Sequence, residues 1–111
     1  MAAYLISEYL EILDQAAMAE YRRQVTATLE AYGGRSIARG GQTVPGQTVS
    51  GQMVSGQTVP LEGDWDPMRL TIIEFPSLDH AQQWYASDAY RDLKALRQGA
   101  SRIRMLFIEG V

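Results

Sequence analysis

Residues 3–12, AYLISEYLEI, divide by alternation into two mixed faces. Tyr4, Ile6, Glu8, Leu10 and Ile12 share one, and Leu5, Ser7, Tyr9 and Glu11 share the other, because successive strand side chains point to opposite sides. Neither face is polar throughout, so the pattern predicts a strand covered on both sides. The period then changes. Met18, Tyr21, Val25, Leu29 and Tyr32 recur at steps of three or four, the apolar stripe of a helix. Asp14 stands where its carboxylate can accept from the free N–H groups of that helix, and Gly33-Gly34 supplies a left-handed stop. RSIAR (35–39) reads as a short strand, and RLTIIEF (69–75) as a buried one ended by Pro76, which cannot donate to a ladder. Ser77 caps a helix with Ala81, Trp84 and Tyr85 on one face. Asp88 is expected to recap a second segment, AYRDLKALRQ, with Tyr90, Leu93 and Leu96 or Arg97 inward and Gly99 as its stop. RIRMLFIEG (102–110) reads as a strand with Ile103, Met105 and Phe107 on one face. Arg102, Arg104, Leu106 and Ile108 lie on the other.

The order is β-α-β-β-α-β, with the second helix broken in two. That is an α+β, ferredoxin-like pattern: a four-stranded antiparallel sheet with its helices on one face. Residues 1–111 have room for one domain. The far face of the sheet carries more large apolar groups than a wet face would, and no segment is left to cover it. A second copy of the same sheet is the simplest cover, which predicts a homodimer.

Composition narrows the function classes. With 46% hydrophobic and 21% charged residues the chain is of ordinary globular type. No apolar run approaches the roughly 20 residues that span a bilayer. The start, MAAYLISEYL, lacks the basic region of a secretory signal, so a cytoplasmic location and no membrane partner are expected. Cysteine is absent, which excludes disulfides, thiolate chemistry and thiolate metal sites. The net charge is −3 and the ten basic residues are scattered, so no stripe exists to neutralise phosphates and no nucleic-acid partner is expected.

The segments EYRRQV, ARGG, LEGDWDP, RLTIIEFPS and AQQWYASDAYRDLKALRQ together resemble the family known as domain of unknown function 1330, DUF1330. Most specific are EGDW, IIEFPS and the pattern formed by Trp84, Ser87 and Tyr90. The resemblance covers the chain apart from part of one repetitive stretch. It implies membership of the dimeric α+β barrel superfamily: a ferredoxin-like protomer that pairs into a barrel, with a cavity between sheet and helices. It implies no established activity. Related families include cofactor-independent monooxygenases, chlorite- and haem-handling proteins and small isomerases.

One departure from the family is plain. A short link usually joins ARGG to LEGDW, whereas here it runs from Gln42 to Pro60. With Gly41 it reads GQTVP GQTVS GQMVS GQTVP, one phrase written four times. A single QTVP would give the usual length, so 42–60 reads as an expanded strand-to-strand loop, which loop entropy tolerates. Period five matches neither strand nor helix. Val44-Pro45-Gly46 favours a type II turn. The arm is expected either to prolong the hairpin or to lie along a neighbouring subunit and build a higher oligomer.

Candidate chemistry is sparse. His80 is the sole histidine and sits in the first turn of a helix, more suited to a solvated position than to a general base. One histidine without cysteine makes no transition-metal site, and no cofactor or metal is expected. Glu62, Asp64 and Asp66 alternate in a turn that lacks the further ligands of a calcium loop. Trp65 is a large aromatic in a polar loop and needs cover, over a cavity mouth or against a dimer mate. Glu74 stands deep in an apolar strand, where a carboxylate must be paired or carry a raised pKa. Arg39 or Arg104 is its expected partner. Glu74 with Arg39 forms the candidate catalytic pair, able to abstract a proton or grip an acid, with an ion pair at the dimer seam as the structural alternative. Tyr9, Trp65, Trp84 and Tyr90, with Tyr85, are the candidate substrate-binding aromatics. GRSIARGG lacks the spacing of a phosphate-cradling loop. Two functions stay open: a protein that binds or converts a small organic molecule in its cavity, or a non-enzymatic homo-oligomeric module with the repeat arm making subunit contacts.

Overall fold

Side-chain caps set the element ends. Asp14 accepts from the Ala17 N–H at 3.0 Å and Ser77 from the His80 N–H at 3.1 Å, each satisfying a free donor of a helix start. Gly33, at φ 77°, turns the chain out of the first helix, and the Gly34 N–H closes on the Leu29 carbonyl at 2.8 Å. The computed structural model describes residues 1–41 and 56–111. They form β1 (Ala3–Ile12), α1 (Gln15–Glu30), β2 (Arg35–Gly40), β3 (Arg69–Phe75), α2 (Leu78–Tyr85), α3 (Asp88–Ala100) and β4 (Ser101–Glu109). The sheet order is β2-β3-β1-β4 and every pairing is antiparallel, the ferredoxin-like arrangement.

Two expectations about the last helix need correction. Ser87, not Asp88, is the cap: its Oγ accepts from the Tyr90 N–H at 3.2 Å. Asp88 is the first helical residue, where its charge still favours the positive end of the helix. Gly99 does not stop α3, which continues to Ala100. Ser101 follows at φ −155°, so the chain passes directly into β4 without a left-handed residue. The Ala100 carbonyl accepts from the N–H groups of Leu13 and Asp14 at 2.7 and 3.1 Å, tying the β1–α1 corner to this junction.

The helices cover one face of the sheet. Its core-side residues are Leu5, Tyr9, Ile73 and Phe75, packed on Met18, Tyr21 and Leu29 of α1 and on Ala81, Trp84, Tyr90 and Leu93 of α2 and α3. Trp84 is the centre of this core, 1% exposed, with its ring 4.1 Å from that of Tyr90 and 5.7 Å from that of Phe75. Its indole N–H donates to Thr28 Oγ1 at 3.0 Å, as a buried tryptophan requires. On the other face the described residues cover the sheet only in part: Leu106 is 57% and Ile108 52% exposed. Among the described residues no helix is long and apolar enough to cross a membrane.

Residues 42–55, with the expected turn at Val44-Pro45-Gly46 and most of the repeat, lie outside the described residues. The fourth unit returns beside β2. The Gly56 N–H donates to the Arg39 carbonyl at 2.6 Å, in a parallel bridge of Gly56 with Gly40.

Candidate functional site

Antiparallel register brings polar groups together at one end of the helix-facing sheet surface. Tyr9 of β1 stands opposite Arg69 of β3 and Ile103 of β4. One row along, Ser7 stands opposite Thr71 and Met105, and Thr71 is opposite Arg39 of β2. The next row is apolar across the centre, with Leu5 opposite Ile73 and Phe107. Helix α1 runs back over these rows, placing Arg22 and Tyr21 toward the polar end and Leu29 toward the apolar one. Between them lies a cavity of about 250 Å³, walled by Leu5, Val25, Leu29, Ile73, Trp84 and Met105 and entered by the side chains of Tyr9, Arg22, Arg39 and Arg69.

The cationic groups are close enough to act on one another. Burial holds the Arg69 guanidinium below its ordinary pKa; Tyr9 opposes that shift, while the charges of Arg22 and Arg39 add to it. Burial pushes the Tyr9 hydroxyl up, against the pull of Arg69, Arg22 and Arg97. Arg39 and Arg69 each engage other groups. Arg22 is less well held: Nε, Nη1 and Nη2 are all buried and make no well-formed hydrogen bond among the described residues. Its charge and a loose hydrogen-bonding contact with the Tyr9 hydroxyl both favour ionisation of Tyr9, but that contact falls short of a well-formed hydrogen bond. Among the described residues no acid lines the cavity. Behind Trp84 the Tyr21 and Tyr90 hydroxyls meet at 2.8 Å, and buried Arg97 donates from Nε to the Tyr90 hydroxyl at 3.2 Å. Burial, then the Tyr90 hydroxyl, drives the Tyr21 pKa upward, which keeps the Tyr21 hydroxyl protonated.

A family model described as Domain of unknown function (DUF1330) matches residues 2–51 and 47–111. The chain belongs to this family. No curated protein matches it. Among solved structures, this DUF1330 chain is similar to a protein of unknown function from Rhodopseudomonas palustris. The identity is 18%, the TM-score 0.68, and the match covers 99% of this chain and 82% of that one. It is also similar to SnoaB, a cofactor-independent oxygenase from Streptomyces nogalater, at 10% identity and TM-score 0.61, covering 99% of this chain and 93% of that one. A third is a putative antibiotic biosynthesis monooxygenase from Caulobacter crescentus CB15, at 9% identity and TM-score 0.55, covering 99% and 90%. At these identities the likeness is one of fold.

The DUF1330 fold separates residues that the sequence placed together. Arg39, Tyr9 and Trp84 reach the cavity, and Tyr90 stands behind Trp84 without lining it. Glu74 does not pair with Arg39 or Arg104. It lies on the open face and accepts from Nε and Nη2 of Arg35 at 3.1 and 2.8 Å, because Arg35 is its direct neighbour across the β2–β3 ladder. A register shift between Ser36 and Ala38 sends Arg39 to the other side. Arg104 pairs with Glu8, donating from Nε and Nη2 at 3.0 and 2.8 Å. Trp65 also joins Glu8, its indole N–H donating to Oε2 at 3.2 Å, and it remains 55% exposed on the open face. His80 is exposed, with Nδ1 2.6 Å from Ser77 Oγ, and Glu62, Asp64 and Asp66 are exposed in their loop. Arg22 and Arg69 escaped the sequence reading. Their signal was positional: Arg22 lies on the Val25–Leu29 side of α1, and Arg69 shares the parity of Thr71, Ile73 and Phe75.

A shallower groove of about 600 Å³ follows β2 on the open face, beside Ile37, Gly56, Thr58, Leu70 and Ile72. It opens broadly to solvent, so it cannot enclose most of a small ligand as the helix-side cavity can. The Glu8 cluster on that face sets a pH dependence. Burial alone would raise the Glu8 pKa, but hydrogen bonds from Arg104 and Trp65 and the Arg104 charge hold the carboxyl below its ordinary value. A lowered folded pKa stabilises the protein above the unfolded value, and that contribution disappears as pH falls through the folded pKa. Glu8→Gln should therefore destabilise at pH 7 and have progressively less effect toward pH 3, as read by urea unfolding of both proteins.

Proposed function

We propose that the protein binds or converts a small organic molecule in the cavity between α1 and the sheet. The carrying observation is the convergence of four polar side chains, buried Tyr9 and Arg69 and half-buried Arg22 and Arg39, on an otherwise apolar cavity of about 250 Å³. That combination is the ordinary form of a small-molecule site. Trp84 forms part of its wall, and Tyr90, through Tyr21 and Arg97, fixes Trp84 in place. Glu74 and Trp65 are assigned instead to the open face. The fold likeness to SnoaB, a cofactor-independent oxygenase, supports conversion by analogy only. Thermal-shift screening with neutral and charged metabolite-sized compounds tests the reading. Some should raise the wild-type Tm by several degrees but leave Ser7→Leu unmoved, because a leucine at this lining position occupies the cavity. If no compound discriminates between the two proteins, the cavity is only loosely filled core.

The open sheet face favours a second reading alongside the first: a homodimer in which each copy covers the other. Leu106, Ile108 and Ile37 are exposed there beside the paired Glu8 and Arg104. Apolar groups ringed by ion pairs suit an isologous interface, with the expanded loop at 42–60 available to extend it. Light scattering should give twice the 12.4 kDa chain mass for the wild type and a single chain mass for Leu106→Asp. An unchanged mass after deletion of residues 46–60 would deny the loop a part in assembly.

A further inference from the structure

We infer that the ligand of this cavity is an organic anion, a carboxylate on a small apolar or aromatic body, held by the guanidinium of Arg22. The inference rests on the cavity being a ligand site, and adds the chemical class. Arg22 brings five donors to a place that water hardly reaches, and among the described residues none of them makes a well-formed hydrogen bond, its contact with Tyr9 being a loose one. Buried polar groups almost always have partners, and an unpaired buried charge is among the costliest arrangements in a fold. An exception lining a cavity is accounted for when the partner arrives from outside. A guanidinium fork matches the two oxygens of a carboxylate in one plane.

The surroundings select for the same class. Arg39 and Arg69 enter the cavity beside Arg22, and no acid among the described residues lines it, so the site repels cations and attracts anions. The Tyr9 hydroxyl adds a neutral donor in the same corner. At the other end the walls are Leu5, Leu29, Ile73 and Trp84, which a bare inorganic anion would leave unfilled. The volume of about 250 Å³ is below the range of roughly 300–1,000 Å³ for drug-sized ligands, so the body attached to the charge is small. The polar rows of the register and its apolar row thus describe the two ends of one amphipathic acid.

Calorimetric titration with benzoate, its neutral counterpart benzamide, and inorganic phosphate provides the test, using wild type, Arg22→Met and Arg22→Lys. Benzoate should bind the wild type at least tenfold more tightly than benzamide or phosphate. Arg22→Met should lose at least tenfold, and Arg22→Lys should recover part of that loss, since it restores charge without the fork. Equal binding of benzamide would overturn the anion assignment while leaving the ligand site in place. Binding of phosphate alone would overturn the organic body, and unchanged benzoate affinity in Arg22→Met would overturn the role of Arg22. Binding of other compounds from the screen without benzoate would also count against the assignment. If no compound of either charge bound, the ligand-site reading would fall with it.

Discussion

Replacing Trp84 by alanine should remove about 3–5 kcal/mol of stability, the usual cost of deleting a large buried aromatic. The side chain stands where all three helices and the sheet converge. It stacks on Tyr90, lies against Phe75 and reaches Thr28 of α1 through its N–H. Alanine would leave a void bounded by rings that cannot collapse together, because Tyr90 is held by Tyr21 and Arg97. Domains of this kind have about 5–15 kcal/mol in total, so the variant should be barely folded at 37 °C. Trp84→Phe should cost much less. It retains most of the ring, and the Thr28 hydroxyl still donates to the Val25 carbonyl at 2.7 Å. Urea unfolding followed by circular dichroism separates the two, and a loss below about 1 kcal/mol for Trp84→Ala would mean that the core does not centre on this residue.

Arg22→Met should act in the opposite direction. In the ligand-free protein, removing an uncompensated buried charge and filling its place with an apolar chain should stabilise by roughly 1–4 kcal/mol, the range seen when buried ionic groups are replaced by well-packed hydrophobes. The Tm should rise by several degrees for each kcal/mol. Such a gain is typical of a residue retained for function at a cost in stability. A fall in Tm would mean that Arg22 has a stabilising partner within the fold, and that its unsatisfied donors do not call for a ligand. The same variant then separates a structural from a binding role: only the binding role predicts greater stability together with weaker anion affinity.

Periodicity and caps made the fold legible. β3 spans the seven residues predicted for it, and the caps at Asp14 and Ser77 form as their side-chain chemistry requires. The misses at Asp88 and Gly99 have a common cause. Several polar residues near a helix end can serve as caps, and only the backbone angles decide which one does. The candidate site was half legible. Strand parity places Tyr9, Arg69 and Thr71 on one face, but the register shift in β2 is a property of the ladder and is invisible in a single strand. That shift brings Arg39 into the cavity and leaves Arg35 to pair with Glu74. Arg22 was masked by its neighbours, since a helix containing Arg22 and Arg23 in succession suggests a solvated edge. Its burial follows from the way α1 crosses the sheet, a tertiary fact.

The most direct check of the ligand site is a crystal structure determined with benzoate at saturating concentration. Benzoate should lie between α1 and the sheet, its carboxylate within hydrogen-bond distance of Arg22 and its ring toward Leu29 and Trp84. Benzoate bound only on the open face of the sheet, or a cavity still empty under those conditions, would contradict the account.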